Sequence, residues 1–134
     1  MKLIKKSALA VIRNNKLLVV RKRGSPDFLM PGGKPERNES PIEALKRELM
    51  EEISCDVDSS SIALLGTFED LTSDGRAKVS IDLFSGELIG EPKPASEIEE
   101  LVWLSAAEIA ANPQASPIIR NKILPFLVGR KILH

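Results

Sequence analysis

Two apolar, partly β-branched runs, residues 7–12 (SALAVI) and 16–20 (KLLVV), flank Arg13-Asn14-Asn15 near the start of the chain. Runs of that length around a polar turn predict two strands joined as a β-hairpin. Gly24-Ser25-Pro26-Asp27 breaks the pattern, and Phe28-Leu29-Met30 leads into Pro31-Gly32-Gly33-Lys34-Pro35, where no regular structure is expected. A helix should begin at Pro41 and run to about Ile53. Ser40 is a good N-cap, proline is preorganised for the first helical position, and Glu43 can return a hydrogen bond to Ser40. On a helical wheel Ile42, Leu45, Leu49 and Ile53 make one apolar stripe, with Glu48, Glu51 and Glu52 on a strip beside it. Such a helix buries one side and turns three carboxylates sideways into a cleft.

Residues 62–68 and 77–88 read as strands, and Asp74-Gly75 between them is a hairpin-turn signal. Glu91-Pro92-Lys93-Pro94 is a rigid loop, followed by a short strand at Leu101-Val102-Trp103-Leu104. Ser105 and Glu108 repeat the capping pattern for a helix that Asn112-Pro113 ends, and Ser116-Pro117 starts another that Pro125 should interrupt. No repeat, linker or low-complexity segment divides these elements. One mixed α/β domain over residues 1–134 is expected.

Composition narrows the chemistry. With 134 residues and 43% apolar side chains the chain can build one core. The one His is the last residue, His134; Cys55 is the one Cys; Tyr is absent. A Ser/His/Asp triad or a zinc site therefore lacks ligands, and a catalyst must work with carboxylates and cations. No intrachain disulfide can form. The basic start Met1–Lys6 precedes an apolar run too short for a signal peptide, and no span reaches transmembrane length, so a soluble cytoplasmic protein without a membrane partner is expected.

The 19 Lys and Arg balance 19 Asp and Glu, which argues against binding duplex nucleic acid through bulk charge. The charges are nevertheless segregated. Residues 1–26 carry eight cations and no acids, residues 27–112 seven cations and nineteen acids, and residues 113–134 four cations and no acids. An acidic centre follows a cationic start.

The informative stretch runs from Gly33 to Cys55: Gly33, five residues, Glu39, seven residues, then Arg47-Glu48-Leu49-Met50-Glu51-Glu52-Ile53-Ser54-Cys55. Glu48, Glu51 and Glu52 are three and four apart and share a strip of helix surface. Three such charges raise one another's pKa unless a cation sits among them, and a hard divalent ion, Mg²⁺ or Mn²⁺, suits an all-carboxylate site. Gly32 and Gly33 lack side chains and would let a backbone carbonyl approach the same ion. Arg47 should pair with Glu39 or Glu51 and hold the loop on the helix.

This spacing resembles the box of the Nudix hydrolases, G-x5-E-x7-R-E-U-x-E-E-x-G-U with U apolar. Six Gly, Glu and Arg positions match, which chance would give about once in 100,000 such chains. Ser54 replaces the second Gly, and Cys55, at the last apolar position, reads as a small buried hydrophobe. The resemblance implies an α/β (α+β) Nudix fold, a mixed β-sheet sandwiched between α-helices. It implies Mg²⁺-dependent hydrolysis of a nucleoside diphosphate linked to a further group, with water attacking phosphorus. By family position Glu48 and Glu52 are the main metal ligands, Glu51 assists, and the Gly32 carbonyl completes the shell. The general base is then Glu48 or Glu52, or else Glu97 from a loop outside the box. Gly33, Glu39 and Arg47 are supports.

Arg21 and Arg23 alternate onto one face of the second strand, where they could meet phosphates or protect an edge; Phe28 could stack on a base or belong to the core. The substrate class expected from the resemblance is a small-molecule nucleotide, most simply a nucleoside triphosphate or oxidised purine nucleotide as in MutT-like members. The competing readings are an ADP-sugar or dinucleotide pyrophosphatase and a non-catalytic nucleotide-sensing or protein-binding module. A homodimer stays open.

Overall fold

The strands formed by the apolar runs are buried on both faces. In the computed structural model, which describes every residue from Met1 to His134, these are β1 (Lys2–Ala10) and β3 (Lys16–Lys22). Alternate residues of each serve different cores: Ala8, Ala10, Leu17 and Val19 join one cluster, and Leu9, Val11, Leu18 and Val20 join another. Double coverage explains why the sequence shows unbroken apolar runs in place of strict alternation.

One sheet runs β5 (Gly32–Gly33), β1, β8 (Ala77–Ser85), β7 (Ala63–Leu71). Within it β1 and β8 are parallel, while β7 and β8 form the hairpin anticipated at Asp74-Gly75. The second sheet orders β10 (Ile98–Leu104), β3 and β2 (Ile12–Arg13), with β4 (Phe28–Leu29) also pairing to β3. A two-residue ladder joins β6 (Asp56–Val57) to β9 (Leu88–Ile89). Helix α1 (Pro41–Ile53) covers one face through Leu45, Leu49 and Ile53. The C-terminal helices α2 (Ala106–Ala111) and α3 (Leu124–Gly129) cover the other through Ile109 and Leu127, with Ile119 and Ile123 from the turn before α3. Mixed sheets between helices are the architecture the sequence implied. No helix is long and apolar enough to cross a membrane.

Four local expectations need correction. Only Ile12 and Arg13 pair with Leu17 and Lys16 as a hairpin; the rest of the first run belongs to β1, which begins at Lys2 and lies in the other sheet. Parallel pairing with β8 buries both faces of that run, which a hairpin alone could not. Gly32 and Gly33 are not irregular but pair with Ala8 and Ser7. Ile42 has the right wheel angle, yet in the first turn of α1 nothing packs over it and it stays 41% exposed. Pro125 does not break the last helix. A π-helical stretch, Ile119–Ile123, widens the turn ahead of it, accommodating a residue that lacks an N–H and crowds the preceding carbonyl.

Both capping boxes form as read, at Ser40 with Glu43 and at Ser105 with Glu108. Ser54 closes α1 in the left-handed conformation, φ 58°, where the family pattern has glycine. Ser54→Gly should therefore stabilise the protein by about 1 kcal/mol in urea unfolding while leaving turnover unchanged.

Candidate active site

The site is built by clamping two loops onto α1. Arg47 anchors the first loop. Its Nε and Nη2 donate to the two carboxylate oxygens of Glu39 at 2.8 and 3.0 Å, Nη2 also donates to the Lys34 carbonyl at 3.1 Å, and Nη1 donates to Glu48 at 2.7 Å. These bonds hold the Glu39 carboxyl below its ordinary range, helped by the Glu36 N–H. Arg47 thus takes the supporting position expected of it, with Glu39 as its main partner.

Gly32 locks the same loop from the other side. Its N–H donates to Glu52 Oε1 at 2.9 Å, and its φ of +143° disfavours any side chain. A Cβ on Gly32 would overlap the Ser7 carbonyl oxygen of β1, and one on Gly33 would overlap the Glu48 carboxylate. Two glycines are needed because the loop is pressed between a strand and two acids.

The second loop, residues 91–97, is strapped to the end of α1: Lys93 N–H donates to the Ile53 carbonyl at 3.0 Å and Ala95 N–H to the Glu52 carbonyl at 2.9 Å. Arg23 N–H donates to the Glu97 carbonyl at 2.8 Å, tying the loop to the end of β3. Glu97 consequently faces the same cleft as Glu48 and Gly33. The box and the candidate base outside it are brought together.

Glu52 is the unusual acid. It lies inside the buried face of α1, 3% exposed, and not on a flanking strip as the wheel suggested. Burial raises its pKa to about 7; the Gly32 N–H opposes the shift and the neighbouring Glu48 charge adds to it. Glu48 is partly buried, while Glu51 projects outward. Glu48 and Glu51 both turn toward Arg47, Glu51 at 3.6 Å, and Glu52 toward Gly32, so the three carboxylates do not converge on one point.

The cleft, about 430 Å³, is also lined by three lysines that the sequence reading did not single out, Lys6, Lys22 and Lys34. Lys22 pairs with Glu97 at 3.2 Å. Burial, then the repulsion of Lys22, lowers the Lys6 pKa. Neither Arg21 nor Arg23 lines this cleft. Arg21 is engaged with Glu100 at 3.0 Å and with the Ser25 carbonyl, because odd positions of β3 face the other core while Lys22 follows Leu18 and Val20 toward α1. Phe28 is not a stacking platform. It is 6% exposed in the core beneath the C-terminal helices. Strand alternation counted from Lys2 would have put Lys6 in line with Ile4 and Ala8, but the strand start was not visible.

A second, apolar pocket adjoins the cleft. Ile4, Leu29, Met30, Val79 and Ile81 line it, with Asp27, Thr72 and Ser116 among its polar residues. Ser73 donates to Asp27 across the two loops that border it. The pocket and the cleft share Ile4 and Lys6.

The donor chemistry suits a hard divalent cation, with two neighbouring carboxylates rather than a gathered set of three. Glu52 is a buried carboxylate whose only side-chain hydrogen bond is from a backbone N–H, and it neighbours a second carboxylate, Glu48, for which Gly33 leaves room. The one histidine is His134 and the one thiol, Cys55, is buried in the core under α1; neither lines the cleft to favour a softer metal.

Comparison with known proteins gives the family. A sequence profile of the NUDIX domain matches residues 3–125. The chain belongs to the Nudix family and is a Nudix hydrolase by fold and box; such hydrolases generally use divalent metal ions. No curated protein sequence matches it. Among solved structures, the Escherichia coli ORF135 protein is 26% identical with a TM-score of 0.76, covering 98% of this chain and 92% of its own. A MutT protein from Methanosarcina mazei Go1 gives 21% identity and a TM-score of 0.77, covering 97% and 96%. A NUDIX hydrolase from Nitrosomonas europaea gives 24% and 0.77, covering 99% and 97%. The last two likenesses speak to the fold alone.

Proposed function

We propose that the protein is a Mg²⁺-dependent pyrophosphohydrolase of a nucleoside triphosphate or related nucleotide. The observation that carries this reading is the adjacency of an apolar pocket and a carboxylate-and-lysine cleft, which suits a substrate with a planar apolar end joined to a polyphosphate. Oxidised purine nucleotides fall within the same class.

Glu48 and Glu52 would hold the metal, with Glu51 swinging in from the exposed side and the Gly32 carbonyl within the same loop. Bound there, the ion would neutralise phosphate oxygens and lower the pKa of an attacking water. The protein's own residues do the rest. Lys22 and Lys34 offset phosphate charge along the cleft. Arg47 keeps the Gly-Gly loop against α1, so the carboxylates cannot drift apart. Glu97, anchored through its backbone and paired with Lys22, would accept the proton of water.

The test is product release from a nucleotide panel with Mg²⁺, following monophosphate and pyrophosphate. Turnover of at least one triphosphate to these products is expected, and absence of turnover across the panel would exclude the reading. Glu97→Gln should lower kcat by about 10²- to 10⁴-fold with little change in KM if Glu97 is the base. An undiminished kcat would return that role to Glu48 or Glu52.

A further inference from the structure

Lys6 differs from the other cations around the cleft. Lys22 has Glu97, and Lys34, also unpaired, stands exposed in solvent; Lys6 alone is half-buried and takes part in no ion pair and no side-chain hydrogen bond within the chain. The Glu52 and Glu48 charges offset its burial through space, but neither comes within ion-pair distance, so its hydrogen-bonding capacity is unspent and a fold keeps such a group mainly where a ligand can use it.

Its position says what that is. β5 pairs with β1 only at Ser7 and Ala8, so Lys6 is the first residue of β1 beyond the cover of the Gly-Gly loop. From there it lines both the apolar pocket and the cleft. A second observation concerns the pocket itself: Ser7 and Ser116, 1% and 7% exposed, both line it, and both hydroxyls lack a hydrogen-bond partner. Unpartnered, buried hydroxyls in the wall of one pocket and an unpaired cation at its mouth describe a ligand with hydrogen-bonding edges followed by an anion.

We infer that Lys6 binds the 5′-phosphate that joins the nucleoside to the remainder of the substrate, and so sets the register of the polyphosphate over the carboxylates. The inference rests on the nucleotide reading above. With the base in the pocket and the scissile linkage over Glu48, the first phosphate of the chain must pass Lys6, the one charged residue common to both spaces. Lys6 is then a specificity-determining residue, one that distinguishes a nucleotide from a nucleoside before any metal is bound.

The experiment measures calorimetric binding of nucleoside 5′-monophosphates to the full chain in EDTA, beside their parent nucleosides. The probes are the four common monophosphates and 8-oxoguanosine 5′-monophosphate, for wild type, Lys6→Met and Lys6→Arg. Wild type should bind at least one monophosphate more tightly than its nucleoside. Lys6→Met should lose roughly 10- to 100-fold in monophosphate affinity with nucleoside affinity unchanged, and Lys6→Arg should recover most of the loss. Equal monophosphate binding by wild type and Lys6→Met would overturn the role of Lys6 and leave the pocket reading intact. So would parallel loss of nucleoside and monophosphate, the sign of a merely structural lysine. No binding of any probe to wild type would overturn the pocket reading and the role of Lys6 with it.

Discussion

Glu52→Gln is expected to abolish turnover, by about 10³-fold or more, and at the same time make the metal-free protein more stable above neutral pH. The two effects have one cause. The Glu52 carboxyl is buried, and its pKa stands at about 7 against an ordinary value of 4.5. A raised carboxylate pKa means that the folded chain holds a proton which the unfolded chain has already released, so stability falls as pH rises from the ordinary value to the folded one. Below that window the penalty is absent; above it the penalty is complete, on the order of 3 kcal/mol. Glutamine keeps an oxygen for the Gly32 N–H and removes the charge. Without metal, the variant should therefore melt roughly 5–10 °C higher than wild type near pH 8, and the difference should vanish below about pH 4.5. Thermal unfolding in EDTA across that range checks it. A variant no more stable than wild type at pH 8 would mean that the buried charge is already compensated within the chain.

Gly32→Ala should fail at the level of folding, while Gly33→Ala should fail at the level of chemistry. At Gly32 a methyl group meets backbone, the Ser7 carbonyl of a central strand, and the φ of +143° penalises it further. Neither obstacle can move without opening the β1–β5 pairing and the Gly32–Glu52 hydrogen bond. Loss of more than about 3 kcal/mol in urea unfolding is expected. At Gly33 the methyl meets only the flexible end of Glu48 and the φ is ordinary. The fold should survive with Glu48 displaced, so unfolding changes little while kcat/KM drops. Equal destabilisation by the two substitutions would contradict the distinction between a backbone lock and a side-chain cradle.

What could be read from the sequence was local. Capping residues and the Asp74-Gly75 turn depend on neighbours a few positions apart, and the structure realises each of them. Spacing limited the partners of Arg47 to Glu39 or Glu51, since a helix and its preceding loop leave few acids within reach; the structure makes Glu39 the hydrogen-bonded one.

What escaped depends on pairings between distant segments. Nothing near Lys6 announces that β1 begins at Lys2, crosses into another sheet and pairs in parallel with a strand more than seventy residues away. The phase of β3 was misjudged for the same reason. Arg21 and Arg23 stood out as arginines, but the side of the strand that meets α1 is set by tertiary packing, and it carries Lys22. Phe28 looked available for stacking because a single aromatic next to a glycine loop carries no sign of the C-terminal segment that buries it, where Ala115 bridges to it. The burial of Glu52 was hidden by its charge: on the wheel it lies close to Leu45 and Leu49, and it was assigned to the polar strip because it is an acid.

The central claim is that Glu52 is held as a buried acid for a divalent cation. Its most direct test is the number of protons released when Mg²⁺ binds, obtained by calorimetry in buffers of different ionisation enthalpy. A metal takes the ionised carboxylate, so close to one proton should be released near pH 6, almost none near pH 8.5, and none at either pH in Glu52→Gln. Mg²⁺ binding without proton release near pH 6, or release that persists in the variant, would contradict the account.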